Sequence, residues 1–194
     1  MKINKVCVYC ASSNKAAEVY GDTAYKLGVL LAKEGITVIT GAGSIGLMRK
    51  VEDGALENGG KAIGVIPQFM VEQGWHHTGL SKLHITESMH ERKKMMADMS
   101  DAVIALPGGC GTIEELCEII TWKQLGLYFN PIVILNTNGY YNHFIAQLEQ
   151  AIEERFMGEI HGRIWSVAST PEEAIEIIKN TPRWNESVRK YAAL

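Results

Sequence analysis

The sequence predicts a doubly wound α/β fold, with one central parallel sheet and helices on both of its faces. Three observations predict it: short apolar runs alternate with helical patterns, the runs are apolar on both faces, and glycine-rich turns follow two of them. Such runs fit strands that are buried on both sides, and ligands in these folds bind beyond the carboxyl ends of the strands. We therefore expect the functional residues in the turns that follow strands.

Seven apolar runs predict the strands of the sheet. They occupy residues 6–10, 36–40, 62–66, 83–86, 102–106, 132–135 and 164–168. A chain of 194 residues is long enough for one domain with a substantial core. We expect this domain over residues 1–182 and a C-terminal tail over residues 183–194, in which Trp184 and Tyr191 are candidates for docking on the domain or on a partner subunit.

Local signals predict where helices begin and end. Between the first two strands, the residues at helical spacing are Tyr20, Ala24, Leu27 and Leu31. Gly35 follows them and is typical of a helix C-terminus, where a left-handed residue is often required. Near the end of the chain, Thr170, Pro171 and Glu173 combine a capping box with a first-turn proline. This combination predicts the start of the last helix.

Composition and charge exclude several classes of function. The chain has 22 acidic against 19 basic residues and a formal net charge of -3, so it lacks the basic footprint of a nucleic-acid-binding protein. Its apolar runs are too short to span a bilayer, and residues 1–13 lack the pattern of a signal peptide. We therefore expect a cytoplasmic protein without a nucleic-acid or membrane partner.

Cys7 and Cys10 form a C-x-x-C pair, a spacing found in zinc and redox sites. A zinc ribbon needs a second such pair, which is missing, and the histidines have no metal-binding spacing. Redox cysteines usually lie at a helix start, whereas both of these fall in or at the end of a predicted strand. We therefore expect buried core thiols, no metal and no cofactor.

The first glycine-rich turn contains Gly41, Gly43 and Gly46 in a G-x-G-x-x-G pattern between a predicted strand and a predicted helix. This context is typical of dinucleotide binding. However, the turn follows the second strand rather than the first, and residues 65–68 provide no acidic side chain for a ribose diol. These two facts count against NAD binding, and the alternative is a tight turn with close packing of helix and sheet.

The second glycine-rich turn, residues 107–115, reads Pro-Gly-Gly-Cys-Gly-Thr-Ile-Glu-Glu between a predicted strand and an amphipathic helix. Three glycines before a helix start allow backbone N–H groups to converge on an anion. The lysine of a P-loop is missing, so a nucleoside monophosphate or sugar phosphate fits better than a triphosphate. The alternative is that Thr112 and Glu115 only form a capping box.

A basic helix precedes this second turn. Ser88 and Glu91 predict its N-terminus, which puts Arg92 in the second turn. The residues at intervals of three, four and three are Met89, Arg92, Met96 and Met99. Arg92 therefore lies in an apolar stripe that should face the sheet, and Lys93 and Lys94 share the positive end of the helix dipole. Either an anion lies close, or the three cations extend into solvent.

Two motifs together resemble the LONELY GUY (LOG) family: Met-His-Glu-Arg-Lys at 89–93 and Pro-Gly-Gly-x-Gly-Thr-x-x-Glu at 107–115. The similarity extends from the turn at 10–13 through Gly-Leu-Met at 46–48 to Trp-x-x-Leu-Gly at 122–126. The resemblance implies a Rossmann-like homodimer that hydrolyses the N-glycosidic bond of cytokinin riboside 5'-monophosphate or AMP. The implied products are the free base and ribose 5-phosphate.

The resemblance also implies the site residues, with Arg92 and Glu115 as the catalytic pair. The implied substrate-binding residues are Lys93, Gly109, Cys110, Gly111, Thr112, Ile113, Glu114 and Thr121. Gly108 joins them as a candidate because it belongs to the same glycine-rich turn. The sequence departs from the family at Ala42 and Arg49, where glycines are usual, and at Gly74, where an acidic substrate contact is often found; Glu72 is the nearest acid. These departures concern substrate preference more than chemistry.

The residues themselves fit this chemistry. Breaking a ribosyl C–N bond builds positive charge on the sugar, which the carboxylate of Glu115 can stabilise while it orients or deprotonates water. Arg92 is always protonated, so it should bind phosphate, hold Glu115 or stabilise the departing purine. The alternative from another class is a non-catalytic carrier of a nucleotide or of the molybdenum cofactor, which shares this broad fold but does not need the Arg92 and Glu115 pair.

Overall fold

The computed structural model describes residues 2–187 and contains one seven-stranded sheet. The strands are β1 (Lys5–Tyr9), β2 (Thr37–Thr40), β3 (Ala62–Pro67), β4 (Lys82–Thr86), β5 (Ala102–Ala105), β6 (Ile132–Leu135) and β7 (Ser166–Ala168). Their order is β4-β3-β2-β1-β5-β6-β7, and every neighbouring pair is parallel. The prediction of a doubly wound parallel sheet is confirmed.

The predicted strand positions agree with the observed ones to within two residues. The largest difference is at β7, which begins at Ser166 instead of residue 164. The reason is a short 3-10 helix, Glu159–Arg163, which continues into the next residue because the Ile164 N–H donates to the carbonyl of His161 at 3.0 Å. Ile164 is still buried in the core, as its place in an apolar run suggested.

Helices cover both faces of the sheet. They are α1 (Glu18–Lys33), α2 (Gly46–Leu56), α3 (Gln68–Glu72), α4 (Met89–Asp98), α5 (Cys110–Gln124), α6 (Asn142–Glu153) and α7 (Pro171–Asn180). On one face, α1, α2 and α7 pack against Val6 and Val8 of β1. On the other face, α4, α5 and α6 pack against Cys7 and Tyr9. Side chains of successive strand residues point to opposite faces, so β1 contributes to both halves of the core.

The predicted end of the first helix and the predicted start of the last helix are confirmed. Gly35 has φ +70° after α1, and its N–H donates to the carbonyl of Ala32. This is the usual way for an α-helix to end, with one residue in the left-handed conformation. The Thr170 side chain accepts a hydrogen bond from the Glu173 N–H at 3.2 Å, and Pro171 is the first residue of α7. The Glu173 carboxylate accepts from the N–H of Ser169 rather than from that of Thr170.

Trp184 docks on its own chain. Its backbone N–H donates to the carbonyl of Phe129 at 2.9 Å, and Lys123 Nζ lies 5.0 Å from the centroid of the indole ring. Tyr191, the other residue predicted to dock, lies outside the described residues. In the described part of the chain, no helix combines the length and the apolar character needed to cross a membrane.

The strand order reverses at the neighbouring strands β1 and β5, which form the topological switch point of the sheet. The first half proceeds from β1 outward to β4, and the second half proceeds from β5 outward to β7 on the other side. Loops that leave the carboxyl ends of these two neighbouring strands therefore diverge, which opens a crevice between them. The candidate site occupies this crevice.

Candidate active site

A cleft of about 560 Å³ opens at the carboxyl ends of the central strands. Three chain segments form most of its wall: residues 10–13 after β1, residues 41–48 after β2, and residues 109–115 at the start of α5. Met89 and Arg92 of α4 complete it on one side, and Met70 and Trp75 on another. Both predicted glycine-rich turns therefore contribute to one site.

The second glycine-rich turn leads directly into α5, which begins at Cys110 with Gly109 as its N-cap. The interpretation of Thr112 and Glu115 as a capping box is therefore wrong, because both residues lie inside the helix. A glycine N-cap offers no side chain to the first-turn N–H groups, and these remain available to an anion in the cleft. Gly108 is needed for packing, because a Cβ there would lie 2.1 Å from Thr112 Oγ1.

Two tyrosines outside the lining of the cleft bind this segment through hydrogen bonds. No motif in the sequence predicted them. Tyr140 donates its hydroxyl hydrogen to the carbonyl of Gly108 at 2.6 Å, and Tyr141 donates to that of Leu106 at 2.7 Å. Both carbonyl groups therefore accept hydrogen bonds from side chains that do not line the cleft. The arrangement favours a fixed direction for the N–H groups that follow.

Arg92 is buried at the wall of the cleft, as its place in the apolar stripe of α4 predicted. Its Nε donates to the carbonyl of Val65 at 3.2 Å, and Nη2 lies 3.5 Å from the carbonyl of Gly41. A Cβ at Gly41 would lie only 1.7 Å from Nη2. The first glycine of the G-x-G-x-x-G pattern therefore makes room for the guanidinium of Arg92.

Glu115 faces Arg92 from α5, with Oε1 at 4.0 Å from Nη2. The side chain of Glu115 is only 11% exposed. Burial raises the pKa of Glu115 to about 7, although the neighbouring Arg92 opposes this shift, and Glu114 adds to it. Near neutral pH this carboxyl group can therefore exist in either protonation state.

The other two cations of the basic helix have different surroundings. Lys93 is buried, and its Nζ donates hydrogen bonds to the carboxylates of Glu114 and Glu118. Burial opposes protonation, but these two hydrogen bonds raise the pKa of Lys93 overall. Lys94 is exposed and pairs with Asp98 one turn along α4. Of the three cations Arg92, Lys93 and Lys94, only Lys94 therefore extends into solvent, which was one of the two interpretations of the sequence.

The structure brings most of the predicted site residues to the cleft, but not all of them. Those that line it are Arg92, Gly109, Gly111, Thr112, Glu114 and Glu115. Gly108 lines a smaller neighbouring cavity of about 170 Å³. Cys110 and Ile113 belong to the first turn of α5 without lining the cleft, and Lys93 lies behind Glu114.

Thr121 and Glu72 lie away from the cleft. Thr121 is six residues beyond Glu115, about 9 Å farther along the axis of α5, and its hydroxyl donates to the carbonyl of Cys117 at 2.8 Å. Glu72, the acid nearest to Gly74, is exposed and accepts a hydrogen bond from Gln68 at 3.0 Å. Neither residue contacts the space between Arg92 and the second glycine-rich turn.

One wall of the cleft is apolar, and the sequence analysis did not identify it. The side chains that form it are Ile45, Met48, Ile66, Met70, Trp75 and Met89. Trp75 is 52% exposed at the rim. Ile66 lies near the end of β3, and the others follow β2, β3 or β4. The rule that sites lie beyond the carboxyl ends of strands is therefore the signal that could have found them. An aromatic and thioether wall suits a planar, partly apolar group.

Cys7 and Cys10 are both buried and free, as predicted. Burial raises the pKa of each thiol, which disfavours the reactive thiolate form. Within residues 2–187, no group of three or more His, Cys, Asp or Glu side chains is placed to hold a metal ion.

Sequence comparison places this chain among a defined group of proteins. A family model described as "possible lysine decarboxylase" matches residues 48–178. The chain is 40% identical over 188 residues to a probable cytokinin riboside 5'-monophosphate phosphoribohydrolase of Oryza sativa subsp. japonica, covering 96% of this chain and 77% of the relative. It is 38% identical over 187 residues to a cytokinin riboside 5'-monophosphate phosphoribohydrolase of Arabidopsis thaliana, covering 96% and 87% of the two proteins.

Solved structures with a similar fold include carriers. The molybdenum cofactor binding protein of the phototrophic bacterium Rippkaea orientalis aligns with a TM-score of 0.70 and 26% identity, covering 92% of this chain and 97% of that one. The molybdenum cofactor carrier protein of Chlamydomonas reinhardtii aligns with a TM-score of 0.69 and 24% identity, covering 92% and 97%. The second similarity concerns the fold alone.

Proposed function

Because the chain belongs to the LOG family of cytokinin riboside 5'-monophosphate phosphoribohydrolases, we propose that it hydrolyses the N-glycosidic bond of an adenine-type nucleoside 5'-monophosphate. The products are the free base and ribose 5-phosphate. The observation that carries this proposal is the buried pair of Arg92 and Glu115, 4.0 Å apart in the same cleft as an anion-binding turn. A carrier of the same fold does not need such a pair.

The order of the strands suggests how a nucleotide lies in the cleft. The second glycine-rich turn follows β5, whereas the apolar wall is formed at the carboxyl ends of β2, β3 and β4, on the other side of β1. Neighbouring strands are about 4.8 Å apart, so the ends of β5 and β2 are separated by about 10 Å. A phosphate on the N–H groups of residues 109–112 therefore leaves the base beside Trp75. The ribose then lies between them, near Arg92 and Glu115.

In this arrangement each residue has a distinct role. The bond between the ribose anomeric carbon and the base nitrogen breaks with both electrons going to the base, and positive charge develops on the sugar. Ionised Glu115 stabilises that charge and accepts a proton from the attacking water, whose oxygen bonds to the anomeric carbon. The departing base takes a proton from solvent, and Glu115 afterwards releases the proton of the attacking water to solvent. Arg92 holds Glu115 in place and stabilises the negative charge that develops on the base.

The positions of the other residues support the substrate-binding roles that we propose for them. Gly108 to Thr112 form the phosphate cradle, and Glu114 lies at the wall beside it. Lys93 acts by holding Glu114 and Glu118. AMP and N6-prenylated AMP are both proposed substrates.

Location and assembly are also proposals. The four cysteines are free, which suits a reducing compartment such as the cytoplasm. The family resemblance implies a homodimer, and the exposed side chains of Leu125 and Leu127 after α5 provide apolar surface for such a contact. Light scattering of the purified protein tests the dimer.

We expect turnover to depend strongly on the 5'-phosphate. Binding energy from the phosphate on the second glycine-rich turn contributes to the transition state, so kcat/KM for AMP should exceed that for adenosine by about 100-fold or more. The measurement is release of adenine from the two compounds at equal concentrations. Equal rates would contradict a phosphate-binding role for residues 108–112.

The pH dependence should report the ionisation of Glu115. Because its pKa is raised to about 7, the carboxyl group is protonated below that pH and ionised above it. If the ionised form is active, kcat/KM should fall about tenfold for each pH unit below about 7 and level off above it. Steady-state kinetics between pH 5.5 and about 8.5 measure this profile. A rate that does not change below pH 7 would contradict this role of the carboxylate.

A further inference from the structure

A buried polar cluster behind the first glycine-rich turn takes no part in the mechanism above. Glu52 of α2 is fully buried, and its Oε2 lies 2.8 Å from Nδ1 of His77, which is 4% exposed. Its Oε1 accepts a hydrogen bond from the Thr40 hydroxyl at the end of β2. Burial of a carboxyl group is costly unless it is well hydrogen-bonded, and here both of its oxygens have partners.

This cluster connects two segments at the wall of the cleft, the turn of residues 41–44 and the segment of residues 75–77. The Ala42 N–H donates to Thr40 Oγ1 at 3.0 Å, and the Ala42 carbonyl accepts from the His77 N–H at 2.9 Å. Next to it, the Ser44 N–H donates to the carbonyl of Trp75 at 2.9 Å. Glu52 connects the two segments, because it binds His77 of one and Thr40, the residue that precedes the other.

The turn that this cluster holds is strained. Ala42 has φ +64°, a left-handed conformation that is unfavourable for a residue with a Cβ, and its side chain is completely buried. Such a conformation persists only where the surrounding contacts determine it. Gly41 of the same turn leaves room for the guanidinium of Arg92, which the Val65 carbonyl also holds, independently of this cluster.

We propose that Glu52 and His77 are positioning residues, which hold Trp75 as the wall against which the base of the substrate stacks. The proposal rests on the proposed function, since it assigns the apolar wall to the base. Glu52 and His77 touch no substrate in it and act only through the segment of residues 75–77 and the turn of residues 41–44. Nothing in the phosphate cradle depends on them directly.

The protonation states of the pair fit this role. Burial raises the pKa of Glu52 to about 8, with the Thr40 hydrogen bond opposing the shift and Asp53 adding to it. Burial also lowers the pKa of His77, as does Arg49. At neutral pH a protonated Glu52 can donate to His77 Nδ1, while His77 Nε2 lies 3.6 Å from Asp53 Oδ1. A glutamine can reproduce this pattern of one acceptor and one donor.

A double-mutant cycle tests the proposal. We expect Glu52→Ala and Trp75→Ala each to raise the KM for AMP about tenfold, in line with the usual contribution of one stacked base, while kcat changes less than about threefold. The double variant should have the same KM as either single variant, because both changes remove one wall. Glu52→Gln is the matched control and should keep KM within about twofold of the wild type, since its amide preserves both hydrogen bonds.

Two results would overturn the proposal: a wild-type KM in Glu52→Ala, or effects on KM that multiply in the double variant. If Glu52→Ala does not fold, His77→Ala breaks the same contact from the other side and replaces it in the cycle with the same expected and opposing results. If the wild type releases no base, the proposed function fails, and the same cycle measured as Kd for AMP still tests the positioning role.

Discussion

Replacing Glu115 with glutamine is expected to lower the rate of base release from AMP by about 100-fold or more. The side chain keeps its size, but the charge that compensates the developing positive sugar is lost, and an amide cannot accept the proton of water. The melting temperature should change little. Glu115 lies within α5 rather than at its start, so no helix cap is lost, and its separation of 4.0 Å from Arg92 is long for a direct hydrogen bond.

The matched control is Glu149→Gln, which removes one negative charge from an exposed position on α6. It should leave both turnover and melting temperature at the wild-type values. Base release and melting temperature are measured on the same preparations of both variants. A folded Glu115→Gln protein with near-native turnover on AMP and on N6-isopentenyl-AMP would remove Glu115 from the mechanism and leave Arg92 without a catalytic partner.

Replacing Arg92 with alanine should also reduce turnover by about 100-fold or more, because a preorganised cation at the departing base and the partner of Glu115 are lost together. Arg92→Lys should recover only part of this activity. Its ammonium group keeps the charge, but it cannot reproduce the planar guanidinium, which contacts the carbonyls of Val65 and Gly41 and also faces Glu115. Steady-state kinetics on AMP rank the three proteins.

Lys94→Ala provides the control for Arg92. It removes a cation from the same helix, but at an exposed position paired with Asp98, and turnover should be unchanged. A fully active Arg92→Lys protein would show that only the charge matters and would contradict the role of the guanidinium geometry. Loss of activity in Lys94→Ala would indicate that the net charge of α4, not the position of Arg92, controls the reaction.

The strands could be predicted because the signals that define them are local. Apolar runs of four or five residues, each followed by a polar or glycine-rich turn, read directly as buried strands, and Gly35 and Pro171 mark helix ends without reference to the rest of the fold. The burial of Arg92 was predictable for the same reason, since its spacing from Met89 and Met96 is visible along the sequence.

The sequence left two interpretations open at the start of α5, because the same residues fit two structures. Thr112 and Glu115 have the spacing of a capping box, but Gly109 caps the helix without a side chain and therefore leaves no comparable pattern. The carboxylate partners of Lys93, and the contact between Glu52 and His77, join residues more than twenty positions apart. Only the tertiary fold brings such pairs together, so neither composition nor periodicity could predict them.

The proposed function requires that the cleft breaks a glycosidic bond rather than merely holding a nucleotide. The most direct measurement is to incubate the purified protein with AMP and with N6-isopentenyl-AMP and to separate the products by chromatography. We predict free base and ribose 5-phosphate in equal amounts from at least one of the two nucleotides, formed catalytically and lost in Glu115→Gln. Nucleotide that is bound and recovered intact, with no free base, would contradict the proposed hydrolysis and favour a carrier.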